Sequence, residues 1–147
     1  MNLQEILHSK SATIHSISPR ASLEDALQSL VRHNIGSLVV CEDAPANQPC
    51  QMVGIISERD ILRACALNQG PLTAQRVEDV MTCNVVTGSP TDSVEEIMGL
   101  LTDRRIRHLP VLDNGRLTGI ISIGDVVKAQ HDELSLENHY LRSYIHG

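Results

Sequence analysis

Aromatic side chains are nearly absent from this chain: there is no Trp and no Phe, and Tyr occurs only at Tyr140 and Tyr144. A core must therefore be built from Ile, Leu, Val, Met and Ala, and the chain before Tyr140 has no stacking platform for single-stranded nucleic acid. Positive charge is short as well. Twelve Lys and Arg against 18 Asp and Glu leave a formal charge of −6, which repels a phosphodiester backbone and argues against nucleic-acid binding. A single nucleotide in a local pocket is untouched by that objection. The four cysteines (Cys41, Cys50, Cys65 and Cys83) show neither CxxC spacing nor a paired histidine, so no metal site is expected. Seven histidines are scattered without an HExxH pair, and the GxSxG, GxxxxGKS/T and GxGxxG signatures are all missing. Ser122, His108 and Asp125 can be drawn as a triad, but nothing orients them, and the chain reads as a non-enzyme. There is no basic-then-apolar leader and no apolar run of membrane-spanning length, which points to a reducing, cytoplasmic setting without membrane contact. Cys41 and Cys50 flank one loop and can come close; that setting argues against a disulfide between them.

What the chain does have is repetition. Ser18–Val40 aligns without a gap on Ser89–Val111, and Val53–Arg63 aligns on Thr118–Lys128. Eight positions of the first pairing are identical, among them Ser18/Ser89, Pro19/Pro90, Ser22/Ser93 and Ile35/Ile106. The second sets Gly54-Ile55-Ile56-Ser57-x-x-Asp60 over Gly119-Ile120-Ile121-Ser122-x-x-Asp125. The offset drops from 71 to 65 between them, so the first copy carries six extra residues in its hairpin. A repeat of this size implies two similar halves about a pseudo-twofold axis, and a polar pair repeated in an apolar frame implies two ligand sites.

Periodicity supplies the elements. Leu3, Ile6 and Leu7 make a short amphipathic helix, and Ile14 and Ile17 a short strand. Ser22-x-x-Asp25 opens a helix whose inward face is Leu23, Ala26, Leu27, Leu30 and Val31, ended by Asn34-Ile35-Gly36. Strands follow at 37–40 and 52–56, then a helix over 60–67 stopped by Asn68-Gln69-Gly70-Pro71, with 72–78 as linker. The second copy repeats the order: a strand at 85–87, a helix capped by Ser93 with Val94, Ile97, Met98 and Leu101 inward, and strands at 108–112 and 117–121 around an Asn114-Gly115 turn. A helix over 125–131 closes it. The remainder to Ile145 reads as a helical tail whose apolar members pack on the body or on another subunit.

This pattern, with Arg105-Ile106-Arg107-His108-Leu109-Pro110-Val111 before the second Gly-Ile-Ile-Ser-x-x-Asp and Asp79-Val80-Met81-Thr82 ahead of the repeat, resembles a tandem pair of CBS domains, the Bateman module. The resemblance covers roughly Ser11 to Gln130. It implies an α+β fold of two motifs, each strand–helix–strand–strand–helix: residues 1–71 with the N-terminal helix, 72–131, and a tail over 132–147. It further implies an adenine-nucleotide sensor, AMP first, then ADP, ATP, NAD(H) or S-adenosylmethionine, working as a homodimer that signals to a protein effector. The alternative is a dimerising adaptor with no physiological nucleotide.

By the same resemblance, Asp60 and Asp125 accept the ribose hydroxyls with Ser57 and Ser122 beside them. The chemistry is sound unaided, since a vicinal diol offers two donors and a carboxylate two acceptor oxygens. Both Ser-x-x-Asp units are equally good helix caps, and the two roles are compatible. Gly54 and Gly119 permit close backbone approach, of a ligand or of a packed helix. Arg107 and His108 are the phosphate candidates of the second copy, in a cluster with Arg104 and Arg105. The first copy offers Gly36 and Ser37 there, with Arg59 nearby, and Lys10 is a further phosphate candidate. Thr87 and its counterpart Ser16 fall near the base or phosphate, and Ile35, Ile106 and Pro110 line the base. The unequal charge implies unequal sites.

Overall fold

The computed structural model describes residues 1–10, 13–42 and 50–146; the hairpin loop with Pro45 and Pro49 lies outside the described residues. In chain order the elements are α1 (Leu3–Ser9), β1 (Ser16–Ile17), α2 (Leu23–His33), β2 (Ser37–Glu42), β3 (Gln51–Ser57), α3 (Glu58–Leu67), a 3-10 turn (Leu72–Ala74), α4 (Val77–Val80), α5 (Val94–Arg104), β4 (His108–Asp113), β5 (Arg116–Ser122) and α6 (Ile123–His146). Among the described residues, one compact unit holds 13–42, 50–86 and 113–118, and another holds 1–10, 87–112 and 119–146. The helix α1 thus belongs with the body of the second repeat.

In the unit of the first repeat, β1 runs parallel to β2, with Ser16 opposite Val39, and β2 pairs antiparallel with β3. Leu38, Val39 and Val40 are fully buried, as expected of a central strand covered on both faces. Helix α2 is closed by a reciprocal Ser22–Asp25 capping box and stopped by Asn34 in the left-handed conformation (φ 52°), which Asn tolerates better than most residues. Its buried stripe is narrower than the periodicity suggests. Leu23, Ala26 and Leu30 pack into the core with Leu38, Val40, Ile56, Ile61, Ala64 and Val77, whereas Leu27 and Val31 are 40% and 74% exposed. The stretch read as a linker is ordered: α4 sits there, Val77 is fully buried, and Leu23 and Val77 donate to the carbonyls of Gln75 and Ala21 at 2.9 Å each.

Within the second repeat, β4 and β5 form a two-stranded hairpin through a turn with positive φ at Asn114 (52°) and Gly115 (80°), the primed geometry that Asn-Gly favours. The strand expected at 85–87 does not form. What remains is one parallel bridge between Gly88 and Val111, at the repeat position where Ile17 meets Val40 in the first copy. The missing rung has a chemical cause: in the first copy the Val39 N–H donates to the His15 carbonyl at 3.3 Å, and the second copy has Pro110 at that position, which has no N–H to give. Buried Leu3, Ile6, Val94, Ile97, Leu101, Leu109, Val111, Ile121, Val126 and Ala129 supply this unit's interior. The tail expected beyond residue 131 is continuous with the preceding helix, giving 24 residues in α6.

The cysteines also depart from expectation. Cys41 and Cys50 are joined in a disulfide with Cα atoms 5.6 Å apart, while Cys65 and Cys83 are free and exposed. The physical reason is the hairpin itself: its antiparallel strands bring the two ends of the loop together, beside an irregularity in register between Val40 and Cys41.

The repeated glycines serve packing in both copies. A Cβ on Gly54 would stand 2.7 Å from Met81 Sδ and 2.8 Å from the Thr82 carbonyl oxygen, where Ile55 and Thr82 exchange backbone hydrogen bonds. A Cβ on Gly119 would stand 2.5 Å from Leu7 Cδ2. Backbone cannot yield as a leucine terminus can. Gly54→Ala is therefore expected to cost about 1–3 kcal/mol through overpacking, and Gly119→Ala clearly less, as checked by urea unfolding of both variants.

Candidate functional site

The two Ser-x-x-Asp units stand where a β-strand hands over to a helix. At Ser57 the strand β3 ends and α3 begins; the Ser57 N–H donates to Asp60 Oδ2 at 2.9 Å, its hydroxyl to the same oxygen at 3.1 Å, and Asp60 N–H returns a bond to Ser57 Oγ at 3.3 Å. The second copy repeats this, Ser122 N–H to Asp125 Oδ2 at 2.8 Å and Asp125 N–H to Ser122 Oγ at 3.1 Å. The helix-capping role is thus realised in both places.

The next residue in each copy ties the junction to the preceding strand. Glu58 N–H donates to the Gly36 carbonyl at 3.1 Å, and Ile123 N–H to the Arg107 carbonyl at 2.8 Å. Ser37, buried at 4% exposure, lies opposite Ser57 across the ladder. Of the first-copy candidates, the structure therefore gathers Gly36, Ser37, Ser57 and Asp60 at one sheet end. Ser16 lies exposed on β1, Ile35 packs against the core, and Arg59 is exposed in the first turn of α3. In the second copy, Arg107, Ser122 and Asp125 come together through the backbone bond and the cap. Thr87, Ile106 and His108 are half-buried, Pro110 is buried, and the Arg107 side chain is exposed.

The copies differ most at the carboxylate. Lys10, just after α1, donates through Nζ to Asp125 Oδ2 at 2.7 Å and to the Ile120 carbonyl at 2.9 Å. Burial, the largest single influence on Asp125, pushes its carboxyl up; the Lys10 hydrogen bond, the Ser122 N–H, the Lys10 charge and the Ser122 hydroxyl together bring it below the usual carboxylate value. Among the described residues, Asp60 makes no ion pair. Among the described residues, the bonds to each half-buried carboxylate all go to Oδ2.

Two features were not legible beforehand. Lys10 is a candidate from its charge alone, but its pairing spans 115 residues of chain and carries no local signal. The imidazoles of His15 and His33 stack with centroids 3.8 Å apart beside Ser16, and nothing in their spacing announces it.

The depressed Asp125 carboxyl fixes the sign of a pH effect. A group whose folded pKa is lowered adds stability that is present above its unfolded value, about 3.9, and is lost as pH falls through the folded value. Lys10→Met is expected to lower stability at pH 7 by about 0.5–1 kcal/mol, as for a partly exposed ion pair. The difference from wild type should begin to shrink as the pH drops below about 4 and level off below the folded value at what the lost bond to the Ile120 carbonyl contributes, and denaturation curves of both proteins from about pH 7 to about pH 2 check it.

The family model described as "CBS domain" matches twice, over residues 5–67 and 77–132. The CBS domain-containing protein CBSX3, mitochondrial, of Arabidopsis thaliana is 40% identical over 125 residues, covering 84% of this chain, which in turn spans 59% of that relative's length. Among solved structures, the CBS domain NE2398 superposes with a TM-score of 0.81 at 36% identity, covering 88% of this chain and 97% of that one. The CBS domain protein PAE2072 of Pyrobaculum aerophilum, solved in complex with AMP, has a TM-score of 0.73 at 28% identity over 85% of this chain and 89% of its own. Two tandem motifs with the same junction chemistry, matched over most of their length, place this chain in the CBS-domain family.

Proposed function

We propose that this chain is an adenine-nucleotide-binding regulatory module rather than an enzyme, with AMP as the preferred ligand and ADP, ATP, NAD(H) and S-adenosylmethionine as competitors for the same sites. One observation carries the reading: the Ser-x-x-Asp junction occurs twice, and among the described residues each Asp caps its helix through Oδ2, so that in this reading Oδ1 takes the incoming donor. A ribose diol supplies two such donors. The AMP bound by PAE2072 supports the choice of ligand class.

In this reading Asp60 and Asp125 take the ribose hydroxyls, with Ser57 and Ser122 beside them. Arg107, His108 and Lys10 face the phosphate in the second copy, with Gly36, Ser37 and Arg59 in the first. Thr87 and Ser16 lie by the base or phosphate, and Ile35, Ile106 and Pro110 line the base. Signalling passes through a change of conformation or assembly to a protein effector. No described helix is long and apolar enough to cross a membrane.

The test separates binding from capping. Asn in place of Asp keeps an oxygen for the cap but loses the charge, so Asp60→Asn and Asp125→Asn are each expected to weaken AMP at their own site. The loss should be about tenfold or more, given roughly 1.5–3 kcal/mol for hydrogen bonds to a charged group. Calorimetric titration reads affinity and stoichiometry, and a thermal melt confirms folding. Folded variants that bind AMP as the wild type does, or a folded nucleotide-free wild type that gives no heat with any of the five ligands, would sink this reading in favour of a dimerising adaptor.

A further inference from the structure

Two imidazoles meet at one end of the first repeat's sheet, and neither the helix caps nor the junction hydrogen bonds use them. The rings of His15 and His33 stack with centroids 3.8 Å apart and planes 20° from parallel. His15 precedes β1, the edge strand in the order β1-β2-β3, and His33 is the last residue of α2. The stack therefore ties an edge strand to a helix. That strand has little else at its start. It pairs with β2 through Ser16 opposite Val39 and Ile17 opposite Val40, and the bond ahead of them, Val39 N–H to the His15 carbonyl, is long at 3.3 Å. So short a strand is marginal alone, and a ring pair adds a contact of the kind that stabilises neighbouring strands. The second copy has Val86 and Arg104 at the matching positions, with no ring on either side.

Imidazole changes charge near neutrality, so the stack has more than one state. Neutral rings attract by dispersion, whereas two imidazolium rings at this distance repel. Opposing influences meet at His33. A helix C-terminus favours the charged form. Desolvation of the ring, then the charges of His15 and of Arg32, disfavour it, and the balance holds the His33 pKa below the ordinary imidazole value. Glu58, Arg59 and Asp60, which open α3 at the same end of the sheet, are not among the charges that act on it. A group whose folded pKa is lowered contributes stability that is present above the unfolded value, about 6.5, and is lost as pH falls through the folded one. Acid therefore works against the stack.

We infer that His15 and His33 form a pH-sensitive clasp that seats β1 on the sheet and positions Ser16, and that protonation of both rings lifts the start of β1 from β2. The clasp does not rest on nucleotide binding. Only its consequence does: the first site, to which Ser16 is assigned, loses affinity in acid. In the full chain without ligand, the Val39 amide reports the clasp, because its partner is the His15 carbonyl. Its hydrogen-exchange protection, read by NMR and corrected for the intrinsic pH dependence of exchange, is expected to fall about threefold or more from about pH 8 to about pH 5, the scale of an exposed charge contact. His33→Phe keeps a ring to stack but removes one charge, and its protection should stay level over this range. His33→Ala should show at the higher pH the low protection that the wild type shows at the lower one. His33 is exposed, so circular dichroism should confirm that both variants fold. Adenosine, which has no phosphate to titrate, then probes the consequence through the amide shifts of Ser57 and Asp60. In the wild type these should saturate at a higher adenosine concentration in acid, and in His33→Phe at the same concentration throughout. Val39 protection that does not change with pH, that falls equally in His33→Phe, or that survives His33→Ala would overturn the clasp. Adenosine affinity that ignores pH while Val39 protection falls would overturn its link to the first site, and no adenosine binding at any pH would count against the nucleotide reading while the clasp stands.

Discussion

The interaction on which most of this structure turns is the bond from a strand-ending N–H to a carboxylate three residues on, Ser57 to Asp60 and Ser122 to Asp125. A helix start leaves its first N–H groups without partners. Here one carboxylate oxygen satisfies the N-cap residue's own N–H, while the serine hydroxyl accepts a bond further into the turn. The adjoining N–H of Glu58 or Ile123 is spent on the carbonyl of Gly36 or Arg107, at the start of the neighbouring strand. Helix direction, hairpin end and strand start are thereby locked at one point. Because the capping uses only one oxygen of the carboxylate, the junction can hold the fold and still present an acceptor.

The copies share this frame and differ in what surrounds it. The segment ahead of each repeat packs on a glycine of the Gly-Ile-Ile-Ser run in its own unit, Met81 and Thr82 on Gly54, Leu7 on Gly119. Only the segment after α1 carries a cation to the carboxylate, so Asp125 is held charged by Lys10 while Asp60 relies on its cap. Positions that match in sequence also carry different local strain. Asn34 and Arg105 both end their helices with positive φ, 52° and 54°, a conformation Asn adopts more readily than Arg. The hydrogen-bond frame is common to both copies, while charge and local strain differ between them.

The frame was legible because its signals are local. Capping residues three apart, an Asn-Gly turn and apolar runs fix elements within a few residues of themselves, and the repeat checks each of them twice. What failed depended on distant partners. Leu27 and Val31 continue the helical period of α2, but period reports which face is apolar, not how much of it a neighbour covers. The strand expected at 85–87 is reduced to one bridge because Pro110, on the strand it would pair with some 25 residues on, has no N–H for the rung that Val39 makes to His15 in the first copy. The Cys41–Cys50 disulfide needed the hairpin geometry to be chosen over reduced thiols. Lys10 on Asp125 and His15 on His33 likewise needed the chain to fold before they could meet.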